Sequence, residues 1–277
     1  MLRDYEIIEY QFPNEINIIP IADTHIGAKE CMLKELKELI DKISKSSNTY
    51  VILNGDIIDN AIITNKGSLG IFDQNMTPMQ AIIEASKIFE PIKERILSIN
   101  SGNHEQRTTQ TTDINPMYLF ATELGKSDVY RDNLCLLKIR IGKKNNTNTS
   151  TYVIMSHHGK GSADSVTKKG LEFMNTFENV DCLVLSHTHA PRIHKYSRKF
   201  VDTHCNKVIE KERSSVTTNP DRLSAVPAAK SSEPATSYGI SELHSSIASS
   251  LSKVYFTSSD ERMSPLENLI PSLSLNV

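Results

Sequence analysis

The chain has 277 residues, 38% hydrophobic and 23% charged, with a net charge of -2 and a sequence pI near 6.5. That length suffices for a sizeable core, and the near-neutral balance excludes a broad basic surface for duplex nucleic acid while allowing a local patch. No stretch approaches the roughly 20 consecutive apolar residues of a membrane span, and the first twenty residues lack the order of a signal peptide, so a cytoplasmic protein with no membrane partner is expected. Cys31, Cys135, Cys182 and Cys205 are widely spaced and form no C-x-x-C pair, which reads as reduced packing residues.

Ile16 to Ala22 is a short run rich in β-branched residues, predicting a strand that empties into Asp23-Thr24-His25. Cys31 to Ser44 sets Met32, Leu33, Leu36, Leu39, Ile40 and Ile43 at helical spacing, predicting an amphipathic helix. Tyr50 to Leu53 reads as a second buried strand ending at Asn54-Gly55-Asp56. Pro78 suits the first turn of a helix over Met79 to Phe89. Arg95 to Ile99 is a third strand, ending at Asn100-Ser101-Gly102-Asn103-His104. In the second half, Tyr152 to Met155 leads into Ser156-His157-His158-Gly159, and Cys182 to Leu185 leads into Ser186-His187-Thr188-His189. Residues 143 to 150 are polar and turn-prone, an exposed hairpin connection. From about Arg213 roughly a quarter of the residues are serine, which predicts a weakly ordered or atypical tail over 213–277 following a domain over 1–212. Within that tail Tyr238 to Val254 has helical spacing and Lys253 to Thr257 suits a short strand.

Each of five strand ends therefore delivers carboxylates, an amide or histidines, and in open sheets ligands bind at the carboxyl ends of strands. Asp23 and His25, one residue apart on extended chain, would point the same way, as would His187 and His189. Carboxylate and imidazole suit first-row divalent metals. Six of the nine histidines lie in these loops, with Asp23, Asp56, Asp59 and Asn103 among them. Burying so many polar groups without partners would cost several kcal/mol, so metal is the better account.

In order, Asp23-x-His25, Gly55-Asp56-x-x-Asp59, Gly102-Asn103-His104-Glu105, a His-Gly at 158 and 159, and His187-x-His189 resemble the five motifs of the calcineurin-like metallophosphoesterase superfamily, across about residues 16 to 190. The wider texture is similar to bacteriophage and bacterial members. The resemblance implies an α/β fold, a four-layer α/β/β/α sandwich of two mixed sheets flanked by helices, and makes 1–212 the phosphoesterase domain. It implies two divalent ions, manganese first, with iron, zinc, nickel or magnesium as other choices. Asp23, His25 and His189 would hold one ion; Asn103, His187 and His158 or His157 the other; Asp56 would bridge them. Attack of a metal-bridging hydroxide on a phosphate mono- or diester would follow, with His104 as general acid oriented by Asp59, and with a lean towards a nuclease or phosphodiesterase. The implied partner is a phosphate ester, nucleic acids and nucleotides included. The alternatives are a protein or small-molecule phosphatase, or a non-catalytic metal-binding scaffold. Two features depart from the family pattern: Ser186 stands where the fifth motif normally starts with glycine, and the serine-rich tail does not clearly supply the family's final strands.

Overall fold

The computed structural model describes residues 5–62, 68–142, 149–161, 163–189, 192–202, 204–218 and 254–256. Among them are eleven strands: β1 Ile7–Phe12, β2 Ile16–Ile21, β3 Thr49–Asn54, β4 Ile96–Asn100, β5 Tyr130–Arg131, β6 Leu134–Ile141, β7 Ser150–His157, β8 Cys182–Leu185, β9 Arg192–Asp202, β10 Lys207–Thr217 and β11 Val254–Phe256. The α-helices are α1 Leu33–Lys45, α2 Pro78–Phe89, α3 Asn103–Thr112, α4 Pro116–Glu123 and α5 Ala163–Thr176. One sheet has the order β1-β6-β7-β8-β10-β9 and the other β11-β2-β3-β4-β5, each mixing parallel and antiparallel neighbours.

Alternation along β2 shows why the sheets stack. Ile16 and Ile18 face the second sheet, where Ile52 and Leu97 join them against Cys135, Leu137, Ile139, Ile154, Val184 and Val216. Ile19 and Ile21 face the other way, onto Leu36, Leu39, Ile40 and Ile43 of α1 and onto residues of α2 and α4. The far face of the six-stranded sheet puts Leu136, Met155, Leu183 and Leu185 against Met174 of α5. Both sheets are thus covered on both faces, which is why β3 and β8 read as continuous apolar runs rather than alternating ones. The order helix, sheet, sheet, helix is the four-layer sandwich that the sequence resemblance implies. Helix α2 starts where Pro78 predicts: the Thr77 hydroxyl accepts from the Gln80 amide and the Gln80 side chain closes the capping box, worth about 1 kcal/mol.

The strand and helix expectations of the first half hold to within two residues at each end. Beyond Cys182 the structure differs from the sequence expectation. Strand β10 runs through the boundary set at 212/213 and stays hydrogen-bonded to β8 as far as Thr217, so the ordered sheet includes the first residues assigned to the tail. Strands β9 and β10 supply strands after the fifth motif; serine content obscured only the end of β10, where Ser214 and Ser215 are buried at the β8 edge rather than solvated. Strand β11 falls within the expected Lys253 to Thr257 segment and pairs antiparallel with β2. The expected helix over 238–254 lies outside the described residues up to 253, as do 143–148 of the expected hairpin connection, whose flanking strands β6 and β7 pair antiparallel as a hairpin requires. No helix among the described residues is long and apolar enough to cross a membrane.

Candidate metal centre

Strands β2, β3 and β4 are parallel neighbours, so their carboxyl ends put Asp23-x-His25, Gly55-Asp56 and Gly102-Asn103-His104 side by side. Strands β7 and β8 do the same for His158 and His187 from the opposing sheet. The backbone is not extended there. Asp23, His25, Asp56, His187 and His189 all have left-handed φ, at 53°, 47°, 50°, 75° and 51°. Such values are uncommon for residues with a Cβ and cost of order 1–3 kcal/mol each. Extended-strand alternation therefore gave the right partners for the wrong reason: left-handed residues at 23, 25, 56, 187 and 189 turn these loops at the strand ends.

Two glycines let the loops approach. Gly55 has φ 81°, and a Cβ there would lie 2.6 Å from the Gly102 backbone and 2.7 Å from His158 Nδ1. A Cβ on Gly102 would collide with the Asp56 carboxylate and amide.

Three overlapping groups of donor atoms result, each spanning no more than 4.8 Å: Asp23, His25 and His189; His25, Asp56 and His104; and Asp56, His158 and His187. His25 and Asp56 each belong to two groups. The Asp23 carboxylate lies 3.7 Å from His189 Nε2 and also accepts from the His187 amide at 3.2 Å. His158 Nε2 lies 3.1 Å from both Asp56 Oδ2 and Asn103 Oδ1, while its Nδ1 donates to the Asn54 carbonyl at 2.7 Å. That bond makes Nδ1 the donor and turns Nε2 to the cluster. Of the two adjacent histidines it is His158 that faces the other donors. His157 accepts from the Gly159 amide at 2.9 Å and packs on Phe173 with ring centroids 4.9 Å apart. His187 and His189 divide between two groups instead of clasping one.

Asp59 Oδ1 meets two imidazoles, His104 Nδ1 at 3.0 Å and His25 Nδ1 at 3.2 Å, and Gln74 holds its other oxygen at 2.6 Å. His104 Nδ1 also donates to the Asp59 carbonyl at 2.8 Å. Arg107 approaches His104 Nε2 at 2.9 Å. The Asp56 Oδ1 atom accepts from the His104 amide at 2.8 Å, placing the carboxylate at the N-terminus of α3, where the helix dipole favours negative charge.

Burial opposes charge throughout the cluster, and the partners decide the sign. Burial alone would raise the Asp56 carboxyl, but His158, His104 and His25 hold it below the usual carboxylate range. For Asp59 burial is likewise outweighed, here by its hydrogen bonds to His104 and His25. Asp23 goes the other way, raised by burial despite His158. Burial would lower His158, yet Asp56 and Asp23 push it up to about 9. His187 is lowered by burial and by neighbouring His158.

The Asp56 carboxylate held ionised, the buried Asp23 carboxyl, imidazoles of which His158 and His25 have Nδ1 committed to a carbonyl or a carboxylate, and an amide oxygen form a donor set suited to divalent first-row ions. The residues present fit divalent metal binding. The family model for calcineurin-like phosphoesterase matches residues 16–214. This chain belongs to the calcineurin-like phosphoesterase family. It is thus a metal-dependent phosphoesterase by family, and the His/Asp groups of this phosphoesterase stand at the five loops where the sequence motifs lie. No curated protein matches the chain. Similar solved structures include a conserved uncharacterized protein described as a predicted phosphoesterase from Streptococcus pneumoniae TIGR4, at 12% identity over 74% of this chain and 72% of that one with a TM-score of 0.31. A metallophosphoesterase from Sphaerobacter thermophilus follows at 11%, 74%, 76% and 0.35, and Vacuolar Protein Sorting 29 from Cryptosporidium parvum at 14%, 74%, 75% and 0.36. These distant likenesses carry neither substrate nor partner.

Several residues of the phosphoesterase site have no role in the sequence reading. Glu105 is fully buried and accepts from three backbone amides, Gly102 at 2.9 Å, Asp56 at 3.1 Å and Ile58 at 3.1 Å. Its position three residues after the Gly102 N-cap is the capping-box spacing, a signal present in the sequence. Asn60, with φ 50°, donates to the His104 carbonyl at 2.7 Å. Gln74 has no local signal, since it arrives from a segment far from any motif.

Proposed function

We propose that this phosphoesterase hydrolyses a phosphodiester with two divalent ions, manganese first, one held by Asp23, His25 and His189, the other by Asn103, His158 and His187, with Asp56 between them. The observation that supports this reading is the sharing of Asp56 and His25 between overlapping donor groups, which suits adjacent ions better than one isolated ion. When bound, the ions supply Lewis-acid charge to the phosphoryl oxygens and acidify a water. The chain supplies the rest. His104 holds a proton at Nδ1 against Asp59 and offers Nε2 towards the cluster, 3.8 Å from Asp56 Oδ2, so a proton carried at Nε2 can pass to a departing alkoxide. Asp59 orients that ring and His25 together. Arg107, already at His104 Nε2, can turn to a non-bridging phosphoryl oxygen. The four cysteines, none in a disulfide, suit a reducing, cytoplasmic setting.

The diester preference rests on charge. The site opens into a cavity of about 390 Å³ whose lining, among the described residues, contains the site carboxylates and histidines, Glu30 and apolar residues but no lysine or arginine. With Arg107, outside that lining, as the one basic side chain this reading brings to the phosphoryl group, a dianionic monoester would depend on additional cations, whereas a monoanionic diester needs fewer. Incubating the manganese-loaded protein with bis-p-nitrophenyl phosphate and with p-nitrophenyl phosphate tests this. Faster turnover of the diester is expected; faster turnover of the monoester overturns the preference, and hydrolysis of neither overturns the enzyme reading.

A further inference from the structure

The last residue of β3, Asn54, is fully buried between the two sheets, and its polar atoms reach across to both histidine loops of the opposing sheet. Its carbonyl accepts from His158 Nδ1 at 2.7 Å. Its side-chain amide donates to the His157 carbonyl at 3.2 Å and to Ser186 Oγ at 2.7 Å. Ser186, also fully buried, directly precedes His187. It gives its amide to the His158 carbonyl at 2.9 Å, takes the Thr188 amide at 2.9 Å, and receives the Thr218 hydroxyl from the end of β10 at 3.0 Å. One side chain of the first sheet thereby fixes the two loops of the second sheet that carry His158 and His187.

We propose that Asn54 and Ser186 are a positioning pair that sets the Asp56–His158–His187 half of the centre, and that the Asp23–His25–His189 half, which their network reaches through the His187 and Thr188 amides and not through an imidazole, depends on them less. Asp56, two residues after Asn54, comes from the same strand end, so the pair fixes this half's carboxylate relative to both of its imidazoles. Replacing Ser186 by glycine or alanine keeps the space but removes the oxygen that Asn54 and Thr218 share. Outer partners of metal ligands act through ligand orientation, and their loss lowers metal affinity by about 10–100-fold. No ligand is deleted, so the effect falls mainly on the ion whose imidazoles lose their bearing. The inference rests on the two-ion reading above.

Titration of the metal-free protein with Mn(II), followed by calorimetry and by electron paramagnetic resonance for a spin-coupled pair, tests it without turnover. In the wild type two binding steps and a coupled signal are expected; fewer than two ions overturns the two-ion reading and this inference with it. In Asn54→Ala one step weakens by about 10–100-fold, the other changes less than about threefold, and the coupled signal vanishes at two equivalents. Ser186→Ala has a smaller effect of the same kind and keeps the test open where Asn54→Ala does not fold. The double variant is no weaker than Asn54→Ala alone, as expected for residues sharing one hydrogen bond. Tyr10→Phe removes another inter-sheet bond, Tyr10 Oη to the Leu97 carbonyl at 3.0 Å, remote from the loops; it lowers the melting temperature and leaves both affinities unchanged. Two unaltered steps in Asn54→Ala and Ser186→Ala, equal weakening of both steps, or the same selective loss in Tyr10→Phe each overturns the inference.

Discussion

Glu105 offers the sharpest stability test of how the site is held. Its carboxylate accepts three backbone amides, two from the Asp56 loop and one from the Asn103 loop, and it has no exposure to solvent. Burial and the neighbouring Asp56 push its pKa up, while the Ile58 and Gly102 amides pull it down. Glu105→Ala strands three buried donors; at about 1–2 kcal/mol each, the loss sums to about 3–6 kcal/mol, comparable to breaking a buried charged pair. Against a typical total of about 5–15 kcal/mol, that lowers the melting temperature by roughly 6–20 °C for a domain of this size. Glu105→Gln keeps one acceptor oxygen and turns an amide towards at least one N–H, so about 1–3 kcal/mol is expected. Urea unfolding of the metal-free protein reads both. The order Ala, then Gln, then wild type is expected, with metal affinity falling in parallel because the two loops lose their clamp. An alanine variant within about 0.5 kcal/mol of wild type, the range of ordinary surface changes, would refute the reasoning.

Other outcomes follow from the same geometry. His158→Ala should lose one of two bound ions while His157→Ala keeps both, as counted by elemental analysis; the reverse would exchange their roles. His104→Asn should retain metal and lose about 10²–10⁴-fold in rate, whereas Asp56→Asn should lose metal; unchanged turnover in both contradicts the assignment. Gly102→Ala places a methyl group in the Asp56 carboxylate, so tight metal binding should disappear, and a variant that binds normally would show that the loops yield. The pKa of His158, raised to about 9 by its carboxylates, contributes stability to the metal-free protein that is complete below the unfolded value near 6.5 and lost as pH rises through about 9. Thermal unfolding of the metal-free chain between those limits should therefore decline, and His158→Ala should flatten the decline; an unchanged slope would count against the ion pair with Asp56.

Much of the site was legible because motif chemistry and strand ends coincide. An apolar β-branched run stopping at Asp23, Asp56 or Asn103 reports both the strand and what it delivers, and His187 and His189 are as plain in sequence as in space. The reason they converge was not legible: it is left-handed backbone at five of the proposed ligands, which residue types other than glycine do not announce. The choice between His157 and His158 needed a partner from another sheet, Asn54, more than a hundred residues away in the chain. Gln74 and Asn60 act through tertiary contacts and carry no local pattern. Serine content misled at β10, where Ser214 and Ser215 are buried against β8: composition averages over a segment and cannot tell a hydroxyl packed at a sheet edge from a solvated one.

The central claim is that two ions occupy overlapping donor groups joined at Asp56. Anomalous scattering at the manganese edge from crystals grown with Mn(II) tests it most directly. The account predicts two peaks, one among Asp23, His25 and His189 and one among Asn103, His158 and His187, with Asp56 reaching both; a single peak, or a ligand set that includes His157 in place of His158, would contradict it.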